Sequence, residues 1–288
     1  MSAAIDLKNV GKKFGSQTAL TDVNLSLPAG HFYALMGRNG AGKSTLMRIL
    51  MRQETLSHGK AAIFGRDVET DPSDFNQDIG FVSEAIDFQF PVSLETFFRF
   101  FSKGFPRWDG GIFNAILGRM GVDPKRYFKT LSRGQRMHVA TAAAIAVRPR
   151  LLILDEVTSV LDPDARGFFM DHLSEFVAKG GTVLMASNIL SEVHNHADHL
   201  VLLHEGTVKL NLSAKELEKE FAKLRKPAGN AHAIFSDPDC AEVGLNSDGS
   251  TSHLVPVSKA AGLPTELRDQ RKITAEEIFV CLTRSRWK

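Results

Sequence analysis

A glycine-rich segment near the N-terminus carries residue types suited to holding a phosphate. GRNGAGKST matches the pattern G-x-x-x-x-G-K-[ST] at every fixed position. Its three glycines let a loop curl so that successive backbone N–H groups point at one phosphate. The ammonium of Lys43 suits the outer phosphates of a nucleoside triphosphate, and the hydroxyl of Ser44 suits Mg²⁺. We therefore predict a nucleotide-binding loop made of Gly37, Arg38, Asn39, Gly40, Ala41, Gly42, Lys43, Ser44 and Thr45.

Two carboxylates at the end of an apolar segment supply a second part of such a site. LLILDE reads as a buried strand that ends in Asp155 and Glu156. Beside a phosphate loop, Asp155 can hold Mg²⁺ through a water, and Glu156 can orient or deprotonate the water that attacks the γ-phosphate. An acidic strand end alone is more often simply solvated. Coupled to the phosphate loop, the catalytic interpretation is favoured.

A third segment, LSRGQ, lies at the start of a predicted helix. Ser132 is in the N-cap position and Gly134 allows close backbone approach, so this helix end can bind an anion. On its own it would be an ordinary capped helix. Its place one helix before LLILDE makes it informative.

An α/β framework must position these segments. Strand patterns at IDLKNVGKKF, HFYALMG, AAIFG and DIGFVSE surround a helix at STLMRILMR. From Pro91 to about Val147 the pattern becomes helical. LLILDE, a helix at RGFFMDHLSEFVAKGG, a strand at TVLMAS and a hairpin turning at Glu205-Gly206 then complete the α/β pattern near Asn211.

The remaining chain predicts a small added αβ unit. A charged helix, SAKELEKEFAKLRK, is followed by strand candidates AHAIFS and SHLVPV and a final helix in AEEIFVCLTRSRW. We expect a main domain over residues 1–211, with a helical subdomain over about 91–147, and an accessory region over residues 212–288.

Composition excludes several classes of protein. Lys and Arg number 35 against 33 Asp and Glu, which disfavours a nucleic-acid binder. The two cysteines, Cys240 and Cys281, are far apart and suit a reducing compartment. The sequence shows no signal-peptide pattern and no apolar stretch of membrane length. We expect a cytoplasmic protein whose membrane role, if it has one, is peripheral and passes through a partner.

In this order and spacing the segments resemble the ABC transporter ATPases. GRNGAGKST resembles their Walker A motif, LSRGQ their signature motif, LLILDE their Walker B motif and SVLDP their D-loop, over Ile5 to about Leu210. FFSKGFPRWD and the C-terminal TAEEIFVCLTRS are similar to single-domain bacterial ATPases of the drug- and peptide-exporter type, which pair with a separate permease.

The resemblance implies a P-loop NTPase fold of the ABC ATPase type, with ATP and Mg²⁺ as cofactors. Two ATPase subunits, identical or different, would face head to tail, and closing them would drive a separate transmembrane permease at the inner face of the membrane. ATP on one phosphate loop would be capped by Ser132, Gly134 and Gln135 of the other subunit. Phe14 would stack on adenine, and Asp162 would reach the other subunit's phosphate loop.

The sequence departs from the family pattern at several positions. Glu84 replaces a Gln that contacts Mg²⁺, a role that a carboxylate can also serve. Val157 and Val160 replace a Pro and a Gly. Asn188 replaces the His that senses the γ-phosphate; an amide can donate a hydrogen bond there but cannot carry charge or shuttle a proton.

The histidines near Asn188 are not expected to take over its role. They are predicted to lie in the helix that follows, where a solvated helix is favoured over a metal site: His194, His196 and His199.

Three functions remain open on the sequence. The first is an active transport ATPase with Glu156 as the base and Asn188 as a tolerated variant. The second is a regulatory subunit that closes on ATP but hydrolyses it slowly. The third is a soluble non-transport ABC protein, which is disfavoured because such proteins usually carry two cassettes or a long coiled-coil insertion.

Overall fold

The computed structural model describes residues 3–71, 77–83, 92–187, 196–213, 216, 219–230, 232–237, 240–269, 271, 273, 277 and 281. In chain order the strands are β1 (Ala3–Phe14), β2 (Gln17–Pro28), β3 (Phe32–Met36), β4 (His58–Ile63), β5 (Arg66–Asp67), β6 (Ile79–Ser83), β7 (Leu151–Asp155), β8 (Thr182–Ser187), β9 (His199–His204), β10 (Thr207–Ser213), β11 (Phe221–Lys226), β12 (Ala241–Leu245) and β13 (Thr251–Pro256). The α-helices are α1 (Lys43–Leu50), α2 (Leu94–Phe101), α3 (Gly110–Arg119), α4 (Arg133–Ala146), α5 (Pro163–Ala178) and α6 (Val257–Ala260). Short 3₁₀ turns occupy Ser102–Gly104, Phe128–Thr130, Ala233–Ser236 and Thr265–Leu267.

A six-stranded sheet in the order β10-β9-β3-β8-β7-β6 forms the centre of the fold. β9, β3, β8, β7 and β6 pair in parallel, and β10 joins β9 through the two-residue hairpin at Glu205-Gly206 that the sequence predicts. Parallel strands all end at one edge of a sheet, so the segments after β3, β6, β7 and β8 emerge together.

The alternation of side chains along the parallel strands builds two separate cores. In β7, Leu152 and Leu154 face the core that contains α4 and α5, while Leu151 and Ile153 face the opposite core. Because both faces are covered, these strands are apolar at every position, as LLIL shows.

An antiparallel sheet in the order β2-β1-β4-β5 covers one face of the central sheet together with α1. The sequence predicts β1 and β4 but not the long β2, whose residues alternate between buried and exposed positions against β1.

Between β6 and β7, the described residues form helices and the loops that connect them. The single β-bridge among these described residues pairs Ser93 with Tyr127. Side chains from α2, α3 and α4 form a third apolar cluster. The side chains of Ser93, Asp109 and Ser132 cap the N-termini of these three helices. An aromatic group including Phe98, Trp108 and Phe113 fills the centre of this cluster.

The C-terminal residues form a three-stranded antiparallel sheet in the order β11-β13-β12. Phe221, Ala241 and Leu254 belong to the same apolar cluster as Leu200 and Leu202 of the central sheet. The small sheet therefore packs on the α/β core of its own chain.

Two predictions for this C-terminal region are wrong. The second half of the expected charged helix, FAKLRK, is strand β11, and six consecutive pairs with β13 outweigh its helical charge pattern. AHAIFS contains a 3₁₀ turn rather than a strand. SHLVPV is a strand as expected, whereas most of AEEIFVCLTRSRW lies outside the described residues.

The position expected for the histidine-containing helix is also corrected. His199 is the first residue of β9 and His196 lies in a turn, so they share no helix face; His194 is outside the described residues. The ring of His199 instead packs on Tyr33 and His31, with centroid distances of 5.1 and 5.3 Å.

Candidate nucleotide site

The glycine-rich loop connects the end of β3 to the start of α1, as the sequence predicts. Gly40 and Gly42 have φ angles of 82° and 105°, in the left-handed region that favours glycine. A Cβ on Gly42 would lie 2.7 Å from the carbonyl oxygen of Ala19, and one on Gly37 would lie 2.4 Å from that of Leu203. Gly37 and Gly42 therefore leave space for neighbouring backbone, and Gly40 and Gly42 provide the left-handed backbone of the loop.

Neighbouring backbone fixes the loop in place. The N–H of Ala41 donates to the carbonyl of Arg38 at 3.0 Å, and the N–H of Gly206 donates to the carbonyl of Ala41 at 3.1 Å. The hairpin between β9 and β10 thus supports the loop from behind. The sequence predicts this hairpin but carries no signal that it touches the loop.

Lys43 is buried at the start of α1. Its Nζ donates to the carbonyl oxygen of Gly37 at 2.7 Å and lies 3.4 Å from Oε1 of Glu156. Only 5 % of the residue is exposed, so its charge faces the interior of the loop. An ammonium held in this way can meet the phosphates of a nucleotide with little reorganisation.

Ser44 brings the loop into contact with the strand β7. Its Oγ donates to Oδ1 of Asp155 at 3.3 Å. A hydroxyl and a carboxylate at this separation form an oxygen donor set of the kind that Mg²⁺ uses alongside phosphate oxygens and water. The chemistry of these two residues therefore fits the metal.

Glu156 follows β7 in an uncommon backbone conformation. Its φ angle is 55°, its N–H donates to the carbonyl of Ala186 at 3.1 Å, and its carbonyl accepts from Oγ of Ser159 at 2.9 Å. A left-handed residue other than glycine costs about 1–2 kcal/mol, so these two hydrogen bonds hold a strained turn. The supporting roles of Ser159 and Ala186 are not visible in the sequence.

Ser132 caps α4 as predicted, and Gln135 completes a capping box. The Oγ of Ser132 accepts from the N–H of Gln135 at 3.1 Å, while Oε1 of Gln135 accepts from the N–H of Ser132 at 3.1 Å. A Cβ on Gly134 would meet Leu161 and Val160 at 3.6 and 3.9 Å. The signature segment therefore lies against the D-loop of the same chain.

Two further candidates have structural partners in the chain. Asp162 caps α5 by accepting from the N–H of Ala165 at 2.8 Å, with Pro163 at the first helical position. Phe14 ends β1 with 43 % of its surface exposed, and Nζ of Lys12 lies 4.8 Å from its ring centroid. An exposed ring at this place is available for stacking.

The remaining predicted residues are placed only in part. Thr45 lies in the first turn of α1, and Arg38 and Asn39 are exposed on the loop. Glu84 and Asn188 lie outside the described residues. The last described residue before Glu84 is Ser83, which is directly opposite Asp155 in the pairing of β6 with β7.

The fold and the loop define a phosphate-loop nucleotide-binding protein, and comparison with known proteins supplies the family. The family model described as ABC transporter matches residues 20–159. An energy-coupling factor transporter ATP-binding protein of Symbiobacterium thermophilum is 34% identical over 239 residues, covering 75% of this chain and 80% of that protein. The Nod factor export ATP-binding protein I of Rhizobium leguminosarum bv. viciae is 31% identical over 208 residues, covering 70% and 67%.

A solved structure of the ATP-binding subunit of an ABC transporter superposes with a TM-score of 0.69 at 24% identity, covering 74% of this chain and 91% of that chain. This likeness confirms the P-loop ABC ATPase fold. Together with the sequence relatives, it places the chain in the family of ABC transporter ATP-binding proteins, as an ATPase subunit that binds ATP. Within the part of the chain that the structure describes, no helix is long and apolar enough to cross a membrane.

Proposed function

We propose that this ATPase works as one of two cassettes that close on ATP with Mg²⁺ and drive a separate transmembrane permease, in the direction of export. The observation that carries the proposal is the meeting of four side chains at one edge of the central sheet. Lys43 and Ser44 of the loop contact Glu156 and Asp155 of the Walker B segment at 3.4 and 3.3 Å. All the groups that phosphoryl transfer requires from one cassette's loop and Walker B strand are thus within reach of each other.

Each of the four residues has a distinct role in hydrolysis. Loop N–H groups and Lys43 bind the phosphates, and Ser44 and Asp155 would hold Mg²⁺, which when bound neutralises charge on the phosphate oxygens. Glu156 orients the attacking water and accepts its proton. The contact between Lys43 and Glu156 must loosen as the γ-phosphate enters, because both groups are needed at that phosphate.

A second cassette would complete the site. Ser132, Gly134 and Gln135 of the second subunit would cap the γ-phosphate, with the N-terminal end of α4 adding its positive dipole. Asp162 of that subunit would approach the loop, and the exposed ring of Phe14 would stack on adenine. Glu84 would contact Mg²⁺ beside Asp155. Ser132 and Arg133 are exposed and Gly134 is half-buried, so the signature segment is accessible to a partner.

We place this ATPase on a separate permease at the cytoplasmic face of the membrane, because relatives that match most of this chain are named as transporter ATP-binding proteins. We assign the ATPase domain to residues 1–211, its helical subdomain to about 91–147 and an accessory region to 212–288. A relative that is named for Nod factor export supports the export direction.

Steady-state ATPase activity of Glu156→Gln tests the assignment of the base. The variant is expected to bind ATP, to form an ATP-dependent dimer and to lose turnover by about a hundredfold or more, because the amide cannot accept the proton. Glu205→Gln is the matched control, since Glu205 lies in an exposed turn and should keep parental activity. Turnover by Glu156→Gln at the parental rate would show that another group is the base.

A regulatory subunit with slow hydrolysis is the alternative, and Asn188 is the observation that favours it. For an active ATPase we expect Asn188→His to keep or raise turnover, because the imidazole adds a proton carrier at the γ-phosphate. A large loss would mean that the site is built around the amide. Parental turnover that is barely above background, and that rises strongly in Asn188→His, would favour the regulatory alternative.

A further inference from the structure

A cavity of about 440 Å³ lies between α3, the end of α4 and the end of α5. Arg150 and Gly181 on its wall directly precede β7 and β8, so the cavity is at the opposite edge of the sheet from the nucleotide site. At about 3.3 Å per residue, Arg150 is roughly 16 Å from Asp155 along β7. The volume falls in the range of small-molecule sites. The cavity is therefore lined by none of the residues assigned to ATP binding and hydrolysis.

The inner wall of the cavity is apolar. Ile112 and Ile116 of α3, Ile145 of α4, Pro149 and Phe176 line it. Pro149 and Ile116 are buried, and Phe176 is partly buried against the main core. Such a wall excludes water and favours an apolar body rather than a hydrated ion.

The rim of the cavity is strongly positive. Three cationic residues, Arg119, Arg148 and Lys179, line the cavity together with one carboxylate, Glu175, whereas the guanidinium of Arg150 stacks on Phe64 at 3.7 Å from its ring centroid. Glu175 already contacts Lys179 at 2.7 Å and Arg119 at 3.7 Å, and the hydrogen bond from Lys179 holds its pKa below the usual value. The charge that remains at the rim is positive and attracts an anionic group.

The backbone of Arg148 provides an independent observation. Arg148 lies two residues after the last residue of α4, with φ at 55°, and its N–H donates to the carbonyl of Ile145 at 2.9 Å. Glycine is the usual residue just after such a helix end, because a side chain is strained in the left-handed conformation. The chain thus carries a cationic side chain at the rim despite local strain.

The wall also contains an unused polar atom. His172 is 8 % exposed, and its Nδ1 lies 2.7 Å from the carbonyl oxygen of Phe168. Its Nε2 is buried and has no hydrogen-bond partner among the residues that the structure describes. Buried polar atoms are normally satisfied, so His172, one of the residues that line the cavity, carries a polar atom that no described residue satisfies.

We propose that this cavity binds a small amphiphilic organic carboxylate, with the carboxylate at the arginine rim and the apolar tail against α3 and Phe176. Such a ligand would connect α3 of the helical cluster to α5 of the main core, and its binding requires neither ATP nor a permease. Both parts of the ligand are needed, because the cationic rim binds only the carboxylate and the apolar wall binds only the tail.

Isothermal titration calorimetry of the purified full chain with octanoate, 1-octanol and acetate tests the proposal. Octanoate is expected to bind at least about tenfold more tightly than either of the other two, and its affinity should fall with added salt. If 1-octanol or acetate bound as tightly as octanoate, the proposal that the ligand is amphiphilic would be overturned. Competition by ATP would place octanoate in the nucleotide site and would also overturn the proposal.

Two variants locate the binding. Arg148→Gly is expected to weaken octanoate by about fivefold or more while keeping or raising the melting temperature, since it removes charge and relieves strain. Arg52→Gly is the matched control, because Arg52 has the same backbone conformation, with φ at 58°, but does not line the cavity. Ala115→Trp should fill the cavity and abolish binding. Parental affinity in both Arg148→Gly and Ala115→Trp would refute the site.

Discussion

At the scale of single residues, the site depends on a few oxygen and nitrogen atoms held by neighbours. Ser44 illustrates this, because its hydroxyl contributes one hydrogen bond to the fold but would contribute a ligand to Mg²⁺. A part-buried hydrogen bond contributes about 1 kcal/mol to the free energy of unfolding. The loss of a metal ligand instead weakens Mg²⁺ binding, which every turnover requires. A substitution of Ser44 should therefore lower ATPase activity much more than it lowers the stability of the fold.

Ser44→Ala is expected to raise the Mg²⁺ concentration for half-maximal ATPase activity by about tenfold with little loss of stability, because a metal ligand is removed. Ser93→Ala is the matched control, since Ser93 only caps the start of α2 and lies in neither the loop nor the strand β7. Titration of activity with Mg²⁺ measures the difference. An unchanged Mg²⁺ dependence in Ser44→Ala would contradict the proposed metal ligand.

His138 links one residue to the acid stability of the fold. Burial between α4 and α5 lowers its pKa to about 4, and His172 nearby lowers it further than Asp162 raises it. The unfolded chain binds this proton near pH 6.5 and the folded chain only near pH 4. The neutral side chain thus gives full stability above pH 6.5, and this stability is lost as the pH falls from 6.5 towards 4.

His138→Leu is expected to flatten this dependence, because the buried side chain no longer titrates. Between pH 7 and pH 5 the parent should lose on the order of 1–2 kcal/mol of unfolding free energy that the variant keeps. Urea unfolding at both pH values measures this loss. His58→Gln serves as the control because His58 is exposed; an identical pH profile in His138→Leu and the parent would refute the assignment.

At the scale of elements, the ends of helices carry much of the function. α4 begins at the signature segment, α5 begins at the D-loop, and α1 begins at the phosphate loop. The motifs can therefore be predicted from the sequence, because each lies at the start of a helix and includes a capping residue or a glycine. The contact of Gly134 with Leu161 was not predictable, since α4 and α5 are brought together by tertiary packing.

Substitution of two N-cap serines distinguishes a role in helix capping from a role in ATP hydrolysis. Ser132→Ala and Ser93→Ala each remove a cap of one helix in the same helical cluster and should each cost about 1 kcal/mol of stability. Only Ser132→Ala is expected to lower ATP turnover, by about tenfold, because only this serine would face the nucleotide of a second cassette. ATPase assays beside thermal melts test this; equal turnover in the two variants would mean that Ser132 only caps its helix.

The central strands were the most predictable elements. A strand buried on both faces must be apolar at every position, so the segments LLIL and TVLM can be predicted to be central strands. β11 is the opposite case, because FAKLRK has charges at helical spacing and becomes a strand only by pairing with β13. Its Lys223 is buried and forms an ion pair with Glu277, a residue more than fifty positions away.

At the scale of the whole molecule, the C-terminal sheet and the ATPase core share one apolar cluster. A shared core couples the stability of the two parts, so the chain should unfold in one cooperative transition. A region that served only a partner would not need such packing. This arrangement favours a structural contribution of the accessory region to the core of its own chain.

Leu254→Ala tests the coupling. Leu254 is fully buried in the shared cluster, so the substitution should cost about 2–5 kcal/mol of the free energy of unfolding of the entire chain. Leu245→Ala is the matched control on the adjacent strand β12, where the leucine is 76 % exposed, and should change stability by less than about 0.5 kcal/mol. Two separate transitions in urea, with only one shifted by Leu254→Ala, would contradict a shared core.

The sequence alone determined the glycine-rich loop, the carboxylate pair at the end of β7, the capped helix α4 and the strands of the central sheet. These features are local, because each is set by a residue type at a helix start, a strand end or an alternating apolar face. The tertiary structure decided the contacts of Lys43 with Glu156 and of Ser44 with Asp155, the strand at β11 and the arginine-rimmed cavity. These features join residues that are distant in the chain, and only the packed sheets and helices bring them within a few ångströms.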